Sequence, residues 1–180
     1  MSISMTSFIF AFSETDSDDQ SKTPVTTVKS VNLERYAGKW FEIARYPNRF
    51  QKKCAANVTA TYVLNGDSKV DVINECLKKD GKASKAKGKA KVADKSTNAK
   101  LKVRFAPGWL SWLPFVWGDY WILELDEEYK YAVIGDPDRK YLWILSRESE
   151  LDDSTYQKLL KKVEVMGFDS KKLVKTPQNG

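Results

Sequence analysis

The sequence contains no histidine and only two cysteines, Cys54 and Cys76. The missing imidazoles exclude Ser-His-Asp and Cys-His catalysis, histidine-bound zinc and histidine-ligated haem from these residues. Two thiols are too few for an all-cysteine zinc site. Long apolar runs are also absent. Nothing approaches the roughly 18–20 residues that a membrane-spanning helix needs. These gaps point away from a cofactor or metal and away from an enzyme.

The residues that are present describe one domain. Of 180 residues, 42% are apolar, enough for a sizeable core and too many for a disordered chain. A net charge of +6 and a pI near 9.1 fit either an anionic partner (nucleic acid, lipid headgroup or acidic ligand) or a solvated basic surface. Residues 1–28 read as a polar, acidic lead-in or the remnant of a signal segment. Their apolar stretch, Phe8 to Phe12, has no Lys or Arg before it, so the signal is incomplete as given. The folded domain is expected over residues 29–180.

Within it the apolar pattern has period 2. SKAKGKAKVA at 84–93 puts Lys85, Lys87, Lys89 and Lys91 on one face and Ala86, Gly88, Ala90 and Val92 on the other. A helix would scatter these lysines around its axis, whereas a strand lines them up in water. AKLKVRF at 99–105 alternates likewise, with Leu101, Val103 and Phe105 opposite Lys100, Lys102 and Arg104. GKWFEIARYP at 38–47 is a strand ended by Pro47, and residues 57–76 form a hairpin turning over Asn65 to Ser68. Strands at 118–125, 129–135 and 140–147 follow, divided by turn signals at Asp126-Glu127-Glu128 and Asp136-Pro137-Asp138. Residues 31–36 make a helical turn. The one long helix is expected at 152–167, capped by Asp152 or Asp153 and ended by Gly167. The fold class is all-β: an eight-stranded antiparallel up-and-down barrel with one C-terminal helix packed outside. A barrel of that size has room for one small ligand.

The residues then resemble the lipocalin family. Gly38-Lys39-Trp40 after a helical turn is similar to its opening motif. Asp126 with Tyr131-Ala132 is similar to the second, with Leu125 and Glu127 departing from the usual Thr-Asp-Tyr. Arg147 is similar to the third, the arginine that packs over the first-strand tryptophan. The resemblance spans about residues 31–175 and is nearest the group of bacterial lipocalin, apolipoprotein D and plant temperature-induced lipocalin. It implies a non-enzymatic carrier of fatty acids or lysophospholipids, linked to membranes and stress and placed outside the cytoplasm, in a bacterial periplasm or at an outer membrane. No cysteine lies near the start, so a lipid anchor is not expected.

Alternation from Trp40 points Glu42, Ala44 and Tyr46 into the calyx. Pairing Leu64 with Val70 sends Ala60, Tyr62, Val72 and Asn74 the same way. Ala86, Gly88 and Ala90 supply a wall of low bulk, continued by Leu101, Val103 and Phe105. On the last strands, apolar on both faces, the resemblance selects Tyr120, Ile122, Ala132, Ile134, Tyr141 and Trp143. Arg45, Arg49, Lys52 and Lys53 are candidate partners for a ligand's carboxylate or phosphate, or plain solvated surface.

The loop APGWLSWLPFVWG, residues 106–118, falls at the open mouth, because alternate connections of an up-and-down barrel share one end. Trp109, Leu110, Trp112, Leu113, Phe115 and Trp117 are candidates for docking on a membrane surface. A lid over the calyx or a homodimer contact remain open readings. The same register places Val58 opposite Cys76, so a Cys54–Cys76 disulfide requires a bend at Ala55-Ala56. Two buried thiols, or a cysteine nucleophile as in one lipocalin subgroup that isomerises a lipid, are the alternatives. Binding of nucleic acid is not expected, since the aromatics and the lysine row lie on different elements.

Overall fold

The computed structural model describes residues 23–66, 69–106, 108–110, 113 and 116–178. A turn of helix, α1 (Leu33–Tyr36), leads into β1 (Gly38–Arg45). Seven strands follow: β2 (Cys54–Leu64), β3 (Lys69–Lys78), β4 (Ala83–Val92), β5 (Lys100–Arg104), β6 (Gly118–Leu125), β7 (Tyr131–Gly135) and β8 (Leu142–Ser146). Helix α2 (Asp153–Val165) and a short β9 (Val174–Lys175) complete the order. From β1 to β8 each strand pairs antiparallel with the next, and β1 pairs with both β8 and β2 to close the barrel.

Side-chain alternation explains the two layers. On β4 the lysines face outward, where Lys85 meets Glu75 at 3.0 Å and Lys89 meets Asp71. The opposite face joins an inner cluster that includes Trp40, Tyr62, Val70, Val72, Ala90, Leu101, Ile122, Ile134 and Leu145. A second cluster lies outside the wall, where Tyr156, Leu159 and Val163 of α2 bury Ile43, Leu123, Val133, Leu142 and Ile144. The last strands are apolar on both faces because one face lines the barrel and the other seats the helix. Asp152 caps α2, accepting from the Thr155 N–H at 2.8 Å, and Gly167 ends it at φ +80°.

Two expectations change at a bulge in β1. The register slips between Glu42 and Ala44: Glu42 pairs with Leu145, yet Ala44 pairs with Ile144. The extra residue reverses the parity of everything after it. Ala44 and Tyr46, expected to face the calyx, instead join the outer cluster under α2, and Arg45 turns inward opposite Trp143. A similar slip between Ile122 and Glu124 puts Ile122 and Leu125 inside, with Leu123 outside.

Strands β7 and β8 are shorter than expected. Tyr129 and Arg139 have φ of 62° and 56° and belong to turns, and Asp136 takes the Tyr141 N–H at 2.7 Å. The described part of the lead-in, from Thr23, packs on the barrel. Val25 is buried, and the Val28 N–H donates to Ile122 O at 3.0 Å.

The ninth strand was not legible in the sequence. Strand β1 is hydrogen-bonded to β2 only from Gly38 to Phe41. Above that the two diverge, and residues 174–178 fill the seam. Ala44 and Arg45 pair with Lys175 and Val174. Gln178 Nε2 donates to Glu42 O and Val58 O, and the Asn57 N–H donates to Pro177 O.

Candidate ligand-binding site

One end of the barrel is sealed. Arg147 lies 3.9 Å from the centroid of the buried Trp40 ring. Its guanidinium donates to the carbonyls of Arg35, Tyr36, Ala37 and Lys39, at 2.6 to 3.2 Å. The Trp40 Nε1–H donates to Tyr36 O at 2.8 Å. Gly38 sits at φ +96°, and a Cβ there would lie 3.2 Å from Arg147 Nη1, so both its conformation and the arginine favour glycine. Asp126 organises the neighbouring turn by accepting from the N–H groups of Glu128 and Lys130.

Above this floor three tyrosines meet. Tyr120 Oη lies 2.7 Å from both Tyr36 Oη and Tyr62 Oη. Burial pushes the Tyr62 hydroxyl up to about 12 and those of Tyr36 and Tyr120 well above their ordinary value, so all three stay protonated. Beside them is an apolar cavity of ≈ 10 Å³, room for about one water molecule, lined by Leu33, Ala37, Leu64, Val70 and the expected Tyr62, Val72, Ala90, Leu101 and Val103. Aromatic side chains fill the base, and Tyr36 comes from the helical turn, an element with no strand period to point at it.

Higher up, Asn74 faces inward between Ala60 and Ala86. Its Oδ1 is buried without a hydrogen-bond partner. Ala86 itself is exposed near the rim. Gly88 is there for Phe105. A Cβ on Gly88 would lie 2.8 Å from the Phe105 ring and 2.7 Å from Arg104 O. Phe105 follows the end of β5, and its ring crosses to the β4 wall while remaining 44% exposed.

The mouth is a polar network with aromatic edges. Buried Glu42 accepts from Arg45 Nη1 at 2.5 Å, from Thr176 Oγ1 at 2.6 Å and from Gln51 Nε2. Gln51 Oε1 in turn accepts from Trp143 Nε1 at 2.9 Å. Arg45, a candidate headgroup partner, is thus committed to Glu42. Tyr141 stacks on Trp143 at 5.8 Å and lies 5.8 Å from Phe50. Phe50 is 58% exposed with the Arg49 guanidinium over its ring, and was not picked out from the sequence. Lys52, Lys53, Lys79 and Lys82 on the adjoining connections are exposed.

Of the loop candidates, Trp112, Phe115 and the Trp109 side chain lie outside the described residues, and Leu110 and Leu113 are half-buried. Trp117 lies against the barrel wall, with Lys91 Nζ 4.4 Å and Arg104 Cζ 5.1 Å from its ring centroid. Trp121 similarly carries Lys100 at 4.3 Å. Aromatic and basic side chains therefore do interleave, with Lys91 on β4, Lys100 and Arg104 on β5, Trp121 on β6 and Trp117 just before it.

Cys54 and Cys76 form a disulfide, with Cα atoms 5.6 Å apart. The bend it requires is present. The β2–β3 register slips on both sides of Ala56, and Asn57 has φ 52°. Neither sulfur is a thiol nucleophile, which removes the cysteine-isomerase alternative.

A closed antiparallel up-and-down barrel, sealed by an arginine-capped tryptophan at one end and lined largely by apolar side chains, defines the calyx class of β-barrels. A model of the lipocalin-like domain matches residues 31–178, and the chain belongs to the lipocalin family. Temperature-induced lipocalin-1 of Arabidopsis thaliana is 47% identical over 160 residues, covering 88% of this chain and 85% of that one. Outer membrane lipoprotein Blc of Escherichia coli K12 is 40% identical over 157 residues, covering 87% and 84%. Apolipoprotein D of Mus musculus is 31% identical over 158 residues, covering 83% and 78%. Among solved structures, insecticyanin from the tobacco hornworm Manduca sexta superposes with a TM-score of 0.66 at 24% identity, over 84% of this chain and 83% of that one. That likeness is one of fold.

Proposed function

We propose that the protein is a non-enzymatic carrier of a lipophilic anion, of the fatty-acid or lysophospholipid class, which enters through the open end and leaves its headgroup among the cations there. One observation carries this reading: the connections at the unsealed end of the barrel hold exposed Phe50 and Phe105 together with exposed Arg49, Lys52, Lys53, Lys79 and Lys82. Each buried methylene contributes roughly 0.8 kcal/mol, so about ten match the gross energy of micromolar binding before association costs. Native mass spectrometry of the purified protein tests it. A co-purified acyl lipid is expected, and failure to bind any added fatty acid or lysophospholipid refutes it.

The same rim fits a membrane surface, where aromatic side chains insert and each nearby cation adds about 1 kcal/mol on anionic lipid. Replacing Trp109, Trp112 and Phe115 with Ser is expected to abolish co-sedimentation with anionic liposomes, and unchanged binding refutes docking. The disulfide, and a relative named as an outer membrane lipoprotein, support an extracytoplasmic site of action.

A further inference from the structure

Asn74 stands on the inner face of β3 with Ala60 of β2 and Ala86 of β4 as its direct neighbours. Methyl groups on both sides neither donate nor accept. Its buried Oδ1 accordingly has no hydrogen-bond partner. An acceptor left unpaired costs stability, and in a native fold such a group calls for an explanation. The wall beside it supplies donors. Ala60 pairs with Asn74 and Tyr62 with Val72, so Tyr62 is the diagonal neighbour of Asn74 on the same inner face. Tyr62, Tyr120 and Tyr36 carry three O–H groups but share only two O···O contacts. One proton of the three is therefore free to point elsewhere.

An unpaired acceptor on the same inner wall as a spare donor is complementary to one group that does both, a hydroxyl. Resting on the carrier reading above, we infer that Asn74 and the tyrosine cluster form a neutral anchor for an alcohol on the buried part of the ligand, so that the calyx prefers hydroxylated acyl chains to plain ones. The placement suits such a chain. Lys78 ends β3 at the mouth, and Asn74 lies four residues down the strand, roughly 10–13 Å deeper. A carboxylate at the rim thus leaves a mid-chain hydroxyl beside Asn74.

The test is displacement of a fluorescent apolar probe by stearic, 12-hydroxystearic and 12-oxostearic acids. The hydroxy acid is expected to bind roughly fivefold tighter than stearic acid. In Asn74→Leu that ratio falls to one or below, and Asn74→Ala, which needs no extra room, gives the same loss. Circular dichroism of both variants confirms the barrel. Equal binding of plain and hydroxylated acids by the unmodified protein overturns the anchor but not the carrier. So does a preference that survives in both variants. A 12-oxo acid matching the 12-hydroxy acid overturns the role of Asn74, because a ketone cannot donate. If none of the three acids binds, the carrier reading and this inference fall together.

Discussion

The guanidinium of Arg147 covers the Trp40 ring at 3.9 Å and at the same time donates to four backbone carbonyls between Arg35 and Lys39. One side chain thus closes the barrel and fixes the helical turn beneath it. Lysine retains the charge but loses the planar fork. Arg147→Lys is expected to cost about 2–4 kcal/mol, measured by urea unfolding.

The buried tyrosines set an alkaline limit. Below pH ~10 their hydroxyls are protonated in both folded and unfolded chains. Above it the unfolded chain releases these protons, while folded Tyr62 keeps its own to about 12 and burial holds those of Tyr36 and Tyr120 well above their ordinary value too. The folded state then binds more protons, so stability falls as pH rises through this window. Tyrosinate absorbance from these residues is expected to appear together with loss of the far-ultraviolet dichroism, and Tyr62→Phe should flatten the alkaline slope.

Gly88 leaves space for the Phe105 ring at the mouth. Gly88→Ala places a methyl 2.8 Å from that ring and 2.7 Å from Arg104 O. A loss of about 1–3 kcal/mol is expected. Adding Phe105→Ala should recover only part of it, since the backbone carbonyl remains. Thermal melts of the single and double variants measure both effects.

The disulfide spans a sequence separation of 22. Loop-closure entropy assigns such a link about 3 kcal/mol. Cys54→Ser with Cys76→Ser should lower the free energy of unfolding by that amount, and a reducing agent should reproduce the shift in the unmodified protein.

Ala44 tests the bulge. It is fully buried in the outer cluster, so Ala44→Leu is expected to cost about 1–3 kcal/mol by displacing α2. Fatty-acid affinity should not change. An affinity loss without a stability loss would return Ala44 to the calyx.

Strand alternation was legible wherever one face met water. The lysine row of β4 identified its own inner face, and the Leu64–Val70 register appeared as expected. Parity failed where it depended on unbroken counting: nothing in GKWFEIARYP marks the extra residue that turns Ala44 and Tyr46 outward. Tyr36 and Phe50 were missed because they come from a helical turn and a loop, where no period applies. The Glu42 network was out of reach for another reason, since it joins residues 42, 45, 51 and 176 from opposite ends of the chain.

The seam between β1 and β2 gives the molecule an order of assembly. The edge at Ala44 and Arg45 is an early part of the chain, but the residues that cover it, Val174 and Lys175, follow every other strand. During synthesis the growing wall keeps an open flank until that late segment has left the ribosome. The upper part of the β1–β2 seam is therefore closed only after translation has passed β9.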